Sequence, residues 1–394
     1  MKKKSIRNIV KNVFILLLLL ICIVEGAILK VTVFDSNKGI ASVAKMQEIK
    51  ALIDKYYLDD IDNEQLEEYT YKGLTAGLGD PYSVYYSKKE YQDFMESSEG
   101  VFSGIGAVLQ QDVNTGMIKV VRTIKGSPAE KVGVKADDIL YKIENKEISA
   151  DEDLSSVVSK VKGKEGTKVN ITFLRDGKEV NYTITRQQVI TPTVDYEMLE
   201  DYVGYIQITE FDEVTVDQFK KALDSLNEKG MKKLVIDLRD NPGGLVTSVT
   251  EIADMILPTG MIVYTEDKNG GKQEYKATSK ESFDKPLAVL INGDSASASE
   301  ILAGAIQDYK KGTIVGTTSF GKGIVQNVMK LSDGSALKLT VSSYYTPKGR
   351  NIHKKGIEPD VKVELDKSLE EKSEIKKSED NQLQKALQVL KEEK

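Results

Sequence analysis

Two residue types are almost missing from this chain. Among 394 residues there is one cysteine, Cys22, and one histidine, His353. A lone cysteine leaves no disulfide within the chain and no cysteine-based metal site. A lone histidine leaves any Ser-His-Asp triad a single candidate base. Positive charge is not in excess either. The 55 Lys and Arg stand against 61 Asp and Glu, and the two signs are interspersed, so nucleic acid is not an expected partner. Nothing in the composition asks for a metal or a cofactor, and none is expected. The 40% hydrophobic residues, 29% charged residues and 30 glycines describe a globular protein apart from its ends, long enough for two or three domains.

The N-terminus is one of those ends. Lys2, Lys3, Lys4, Arg7 and Lys11 precede an uninterrupted apolar run, Val13 to Val24. Glu25 and Gly26 break it before residues 27–34 largely resume it, with Lys30 inside. This is the pattern of a signal sequence, and with the resumed part it can just span a bilayer. Val24-Glu25-Gly26 is a poor cleavage site, and Ile21 is too large for a lipoprotein signal. The expectation is an uncleaved single-pass anchor over residues 1–36, with everything after Phe34 outside the cytoplasm. Cleavage would instead release a secreted protein.

Residues 37–99 read as helical. Val43, Met46, Ile49, Ile53 and Tyr56 share one helical face, and a second helix is predicted from Asn63 to Leu78, ended by Gly79-Asp80-Pro81. A small helical cap and a homodimer contact are both open readings of this segment.

Residues 100–187 change character. Gly104-Ile105-Gly106-Ala107 leads into a short strand, with Ala107, Leu109 and Val113 expected on one face. Ser127 caps a short helix with Pro128 at its first position. Leu154 to Val161 is amphipathic, and Asn170 to Thr185 reads as a hairpin around Asp176-Gly177.

In residues 188–364 strands and helices alternate. Strands are expected at Asp201–Thr209, Leu234–Leu238, Leu287–Ile291 and Thr313–Gly316, with helices at Val216–Leu226, Val246–Leu257 and Ser299–Tyr309. That order implies parallel pairs, with ligands at the carboxyl ends of the strands. Gly243-Gly244 and Ser297 both fall at such ends. Residues 365–394 read as a solvated charged linker, Asp366 to Asp380, followed by a short amphipathic helix on Leu383, Leu387 and Leu390.

Two stretches carry chemistry. In Asp294-Ser-Ala-Ser-Ala-Ser-Glu300, Ser297 opens an apolar, alanine-rich helix, so its hydroxyl sits at the positive end of the helix dipole. In Phe320-Gly-Lys-Gly-Ile-Val-Gln326 a lysine stands between two glycines. Serine at a strand-to-helix turn plus lysine on tight backbone suggests a nucleophile and its base. Such a lysine must be neutral to accept a proton. Lowering its pKa from about 10.4 to about 7 costs roughly 4 to 5 kcal/mol, which burial can supply.

The Gly-rich loop with Gly126-Ser-Pro-Ala-Glu-Lys-Val-Gly-Val-Lys-Ala-Asp-Asp-Ile-Leu140 resembles a PDZ domain. Together with Asp237-Leu-Arg-Asp-Asn-Pro-Gly-Gly244 and the two stretches above, it resembles the carboxyl-terminal processing peptidases, also called tail-specific proteases. The likeness runs from Val43 to about Val363. It implies an α/β fold, with a Clp/crotonase-like catalytic core, an inserted PDZ domain and an N-terminal helical segment. It also implies a serine endopeptidase acting on polypeptides with a free C-terminus. Ser297 would be the nucleophile, Lys322 the base, Gln326 the residue that orients the base, and Gly243 and Ala298 the oxyanion hole. The PDZ loop, Gly104, Ile105, Gly106, Ala107 and Val108, would hold the peptide terminus, with Lys162 at the position that couples it to the active site.

The resemblance departs from the family pattern at Asp294, where glycine is commoner, and at Lys162, where arginine is. Rival readings are a catalytically inactive PDZ scaffold, a crotonase-like hydratase, and a triad protease resting on His353. Ser295 or Ser299 can be read as a plain helix cap, and His353 is expected to be structural or part of the substrate path rather than catalytic.

Overall fold

The computed structural model describes residues 37–279, 283–369, 372 and 375–392. The expected anchor at residues 1–36, with Cys22, lies outside them. Among the described residues no helix is long and apolar enough to cross a membrane. The chain divides after Gly73 into two compact units.

The first unit contains helix α1 (Asn37–Tyr56) and most of α2 (Asn63–Ala76). Val43, Met46, Ile49, Leu52 and Tyr56 of α1 are all exposed.

The second unit begins with β1 (Val84–Tyr86) and α3 (Lys88–Glu99). Ser87 and Glu90 form a capping box at the start of α3, and Gly100 ends it at φ 69°. A Cβ at Gly100 would fall 2.5 Å from Val214 Cγ2, so only glycine makes this turn.

A module of antiparallel strands follows: β2 (Val101–Gly104), β3 (Ala107–Gln111), β4 (Ile118–Thr123), α4 (Pro128–Val132), β5 (Ile139–Ile143), β6 (Lys146–Glu147), α5 (Leu154–Val161), β7 (Lys168–Arg175), β8 (Lys178–Thr185) and β9 (Gln187–Ile190). Its main sheet has the order β3-β4-β5-β7-β8, while β2 and β9 pair as a separate ribbon. Val157 and Val161 of α5 close the core over Val120, Val169, Phe173 and Ile184. The predicted cap at Ser127 and the hairpin at Asp176-Gly177 are both present. Val113 departs from expectation and is 95% exposed. Asp112 Oδ1 accepts the Asn114 and Thr115 N–H groups, which turns the chain before Val113 can continue the strand.

The last part supplies β10 (Val194–Met198), β11 (Val203–Ile208), α6 (Glu213–Glu228), β12 (Lys233–Asp237), α7 (Val246–Ile256), β13 (Gly260–Asp267), β14 (Lys272–Ala277), β15 (Leu287–Ile291), α8 (Ala298–Tyr309), β16 (Thr313–Gly316), β17 (Ile324–Lys330), β18 (Ala336–Tyr345), β19 (Val361–Lys362) and α9 (Asn381–Glu392). The central sheet runs β10-β11-β12-β15-β16-β19, parallel from β11 onward. Its strands bury both faces, as parallel strands do. On β12 and β15, Leu234, Ile236, Leu287, Val289 and Ile291 face the core shared with α6, α7 and α8. Val235, Ala288 and Leu290 face the other way, against Leu383, Ala386 and Leu390 of α9. A second sheet, β1-β18-β13-β14 with β17 on β18, carries the base loop and its surroundings.

The segment before α9 is not wholly solvated. Asp380 is buried and pairs with Arg239 at 2.7 Å, because α9 must be anchored where its apolar stripe meets the sheet.

Candidate active site

The serine run sorts itself by hydrogen bonding. Ser295 and Ser299 are fully buried. Ser295 Oγ donates to the Leu238 carbonyl at 2.8 Å, and Ser299 Oγ donates to the Asn241 carbonyl at 3.0 Å. Both lock the nucleophile turn onto the Asp-Leu-Arg-Asp-Asn-Pro-Gly-Gly loop. Ser297, between them, is held at φ 54°, ψ −112° and lines an open cavity of ≈ 470 Å³. A non-glycine residue in that conformation is strained, and such strain persists where surrounding bonds over-determine it. Here the Ala296 N–H donates to the Asn241 carbonyl at 3.0 Å, and Tyr344 Oη donates to the Ser297 carbonyl at 3.0 Å.

Gly243 packs directly behind Ser297. A Cβ there would lie 2.7 Å from Ser297 Cβ and 3.0 Å from the Ala298 nitrogen. Its N–H, however, donates to Asn241 Oδ1 at 2.8 Å. The next residue, Gly244, lines the cavity instead. Neither the Gly244 N–H nor the Ala298 N–H has a hydrogen-bond partner among the described residues. Gly243, expected as an oxyanion donor, thus has its N–H engaged by Asn241, a bond that only the folded loop creates. Asp294 is exposed and does not line the cavity.

The base loop is joined to the nucleophile turn by Glu300, which sequence reasoning passed over. This fully buried carboxylate accepts the Ser297 N–H at 2.9 Å and the Lys322 N–H at 2.8 Å on Oε2. On Oε1 it accepts the Gly321 N–H at 2.8 Å and Ser319 Oγ at 2.5 Å. The Ser-x-x-Glu spacing of a capping box was the available signal. The other side of the loop rests on residues 351–357. Lys354 N–H donates to the Gly321 carbonyl at 2.7 Å, and a Cβ at Gly323 would meet the His353 nitrogen at 2.5 Å. His353 does not line the cavity.

Lys322 lines the same cavity as Ser297. Its amine has no hydrogen bond or ion pair among the described residues and lies 4.4 Å from the centre of the Tyr82 ring. Burial first, then the charge of Lys338, lower its pKa below the usual lysine value, against the pull of Asp80 and Glu300. Lys338 also lines the cavity, and burial lowers its pKa too. Gln326 lies on β17 and lines the same cavity as Lys322, and its Nε2 donates to Thr340 Oγ1 at 3.2 Å. The Thr340 N–H donates to Ser83 Oγ at 3.0 Å, and Ser83 Oγ to Asp80 Oδ2 at 2.6 Å. Asp80 and Tyr82 thus reach the site from far away in sequence, where no local pattern could announce them.

In the strand-rich module a cleft of ≈ 130 Å³ is lined by Gly104, Ile105, Gly106 and Ala107, as the resemblance implied, with Leu109 and Lys162. Val108 is not among its walls, because alternation on β3 turns it to the opposite face from Ala107 and Leu109. Gly106 is obligatory at φ 74°, since a Cβ would lie 2.3 Å from Ser127 Cβ. Lys162 Nζ sits 3.7 Å from Glu96 of α3, and α3 also lends Phe94 and Met95 to the catalytic cavity.

Known proteins resemble this chain along most of its length. Peptidase family S41 matches residues 202–363, the PDZ domain matches 103–185, and the Activating protease CtpB N-terminal domain matches 24–90. The carboxy-terminal processing protease CtpA of Bacillus subtilis is 37% identical over 333 residues, covering 84% of this chain and 71% of that protein. The corresponding CtpB of the same organism is 39% identical over 335 residues, with coverage of 84% and 69%. A probable CtpA-like serine protease of Staphylococcus saprophyticus is 38% identical over 323 residues, covering 81% of this chain, which spans 65% of that relative's length. Among solved structures, a putative S41 protease from Bacteroides fragilis shares the fold, with a TM-score of 0.53, 16% identity, and 86% and 93% of the two chains covered. The chain therefore belongs to the carboxy-terminal processing proteases of peptidase family S41, serine peptidases that carry a PDZ domain.

Proposed function

We propose that this protein is an extracytoplasmic serine endopeptidase, held to the membrane by residues 1–36, that cleaves polypeptides presenting an unstructured C-terminal tail. The observation that carries the reading is the meeting of Ser297 and Lys322 in one cavity, the lysine half-buried and without a hydrogen bond or ion pair among the described residues. Neutral Lys322 takes the Ser297 proton as the hydroxyl attacks the scissile carbonyl. The Ala298 N–H and the free Gly244 N–H, in place of that of Gly243, are the donors available to the oxyanion. Each such donor is typically worth about 3 to 4 kcal/mol of the barrier. Lys322 then returns the proton to the leaving amine, and water releases the acyl-enzyme by the reverse sequence. Gln326, fixed through Thr340, offers its remaining carbonyl oxygen to orient the amine.

The cleft formed by Gly104, Ile105, Gly106 and Ala107 receives the tail's carboxylate on backbone amides, and its apolar walls favour apolar terminal side chains. Engagement of Lys162 by that carboxylate would compete with Glu96 and so reach α3 and the catalytic cavity. An inactive scaffold would have no use for a half-buried amine left without a hydrogen bond.

The test is digestion of an unfolded protein by the full chain and its Ser297→Ala variant, with free-acid and C-terminally amidated peptides compared in parallel. The expected result is no cleavage by the variant and, with the active chain, a higher KM and lower kcat on amidated peptide. Cleavage by Ser297→Ala would end the nucleophile assignment. Equal turnover of both peptides would end the tail assignment.

A further inference from the structure

We propose that Glu300 is a positioning residue that sets the distance between the nucleophile and its base. The proposal rests on the Ser297 and Lys322 assignment above. Glu300 is the third residue of α8, and its side chain turns back toward the start of its own helix. One carboxylate oxygen is shared between the N–H of Ser297 and the N–H of Lys322. The other takes Gly321 N–H and Ser319 Oγ. The backbone nitrogens of the two reacting residues are thus hydrogen-bonded to a single oxygen, although the residues lie far apart in sequence.

The site selects a carboxylate by its donors. Glu300 is fully buried and has no ion-pair partner among the described residues, so its four donors are what compensate its charge. All four bonds point inward. Glutamine is nearly isosteric but presents one acceptor oxygen and one amide that only donates. It can satisfy one pair of donors and must turn its own N–H groups toward the other, against the Gly321 N–H in one orientation and against the Ser297 and Lys322 N–H groups in the other. Aspartate keeps the charge but is one methylene shorter and cannot reach both loops. Ser319 extends the clamp: its Oγ also accepts the Ile357 N–H at 2.7 Å, tying in the loop behind the base.

A purely structural carboxylate and a positioning one differ in what they do to the reaction. Lys322 faces the Tyr82 ring, the cation of Lys338 and the carboxylates of Asp80 and Glu300. Removing the Glu300 charge therefore moves the acid limb of the residual pH–rate profile to lower pH, while the misplaced dyad lowers kcat. KM stays close to the parent value, because the tail-binding cleft lies elsewhere.

The experiment measures kcat, KM and the pH profile of full-length Glu300→Gln, Glu300→Asp and Ser319→Ala on an unfolded protein substrate, with Ser297→Ala alongside. Glu300→Gln is expected to lose about 100-fold in kcat, the scale of a misplacement of roughly 1 Å. Its acid limb should move down in pH. Glu300→Asp should fall similarly with the limb unmoved, and Ser319→Ala should lose several-fold. If Glu300→Gln does not fold, the other two variants decide, because both keep the charge: parent-like kcat in both overturns the proposal. Parent-like kcat in a folded Glu300→Gln, or a loss confined to KM, overturns it as well. Activity retained in Ser297→Ala would instead overturn the dyad on which the proposal rests, so the two failures are distinguishable.

Discussion

Arg239 and Lys322 are two half-buried cations of the same core, and they are treated in opposite ways. Every N–H of Arg239 is used. Nε donates to Asp237, one terminal nitrogen to Asp237 and Asp380, and the other to Asp380 and Gln382, at 2.6–3.1 Å. Asp237 is further held by Tyr205 Oη at 2.8 Å. Lys322 has an aromatic ring beside it, a second lysine nearby, and no hydrogen bond. A guanidinium with five satisfied donors cannot give up its proton and fixes the place of α9 on the sheet. An ammonium deprived of partners is destabilised relative to the neutral amine, which is the state a general base needs. Full pairing gives structure; withheld pairing gives reactivity.

The largest effect expected from this contrast is on Lys322. Lys322→Arg keeps the charge in the cavity but cannot titrate, so turnover should drop by at least about 100-fold, the lower end of what a general base contributes. Lys322→Ala should be equally inactive, and neither should unfold the chain, since the amine makes no bond that folding relies on. Steady-state turnover with a thermal melt checks both halves. Substantial activity in Lys322→Arg would mean that the base lies elsewhere.

Arg239→Ala is the converse. It leaves Asp237 and Asp380 buried without their cation, and removing one member of a buried pair costs roughly 3 to 5 kcal/mol. The melting temperature should fall and α9 should become accessible to a protease. The kcat at low temperature, with the chain still folded, should stay near the parent value. An unchanged melt would break the comparison, because a fully paired cation would then be dispensable.

What could be read in the sequence follows the same division. The parallel sheet, its helices and the strand-rich module were legible because they rest on periodicity, caps and turn residues that act locally. Ser297 and Lys322 stood out as candidates because each sits in a peculiar local setting, a serine at a helix start and a lysine between glycines. Asp80, Tyr82 and Tyr344 did not, since what matters in them is proximity that only the folded chain creates. Which amide of the Gly243-Gly244 pair is free was not legible either, because it depends on one side-chain bond from Asn241.

A smaller effect should come from Lys338, which sharpens the description of Lys322. Its charge helps depress the Lys322 pKa, second to burial. Replacing it in Lys338→Met removes that repulsion, so Lys322 should hold its proton to higher pH. Activity requires the neutral amine, so the acid limb of the pH–rate profile should move to higher pH, opposite to Glu300→Gln. A limb that does not move would leave burial alone as the cause.

The smallest effect tests whether withheld pairing applies to an acid as well. Asp212, at the start of α6 on the cavity wall, is buried, and burial first and the charge of Glu210 second push its pKa up to about 7. A raised carboxyl pKa makes the folded state bind its proton more tightly than the unfolded chain does. The resulting stability is fully present below about pH 4, the unfolded range, and is lost as pH climbs through about 7. Asp212→Asn stays neutral at every pH and caps a helix as well as aspartate. Its melting temperature should therefore match the parent near pH 4 and exceed it by about 3 °C at pH 8, the scale of roughly 1 kcal/mol in a chain of this size. A variant less stable than the parent at pH 8 would mean that Asp212 has a partner when ionised, and that Lys322 is alone in being left without one.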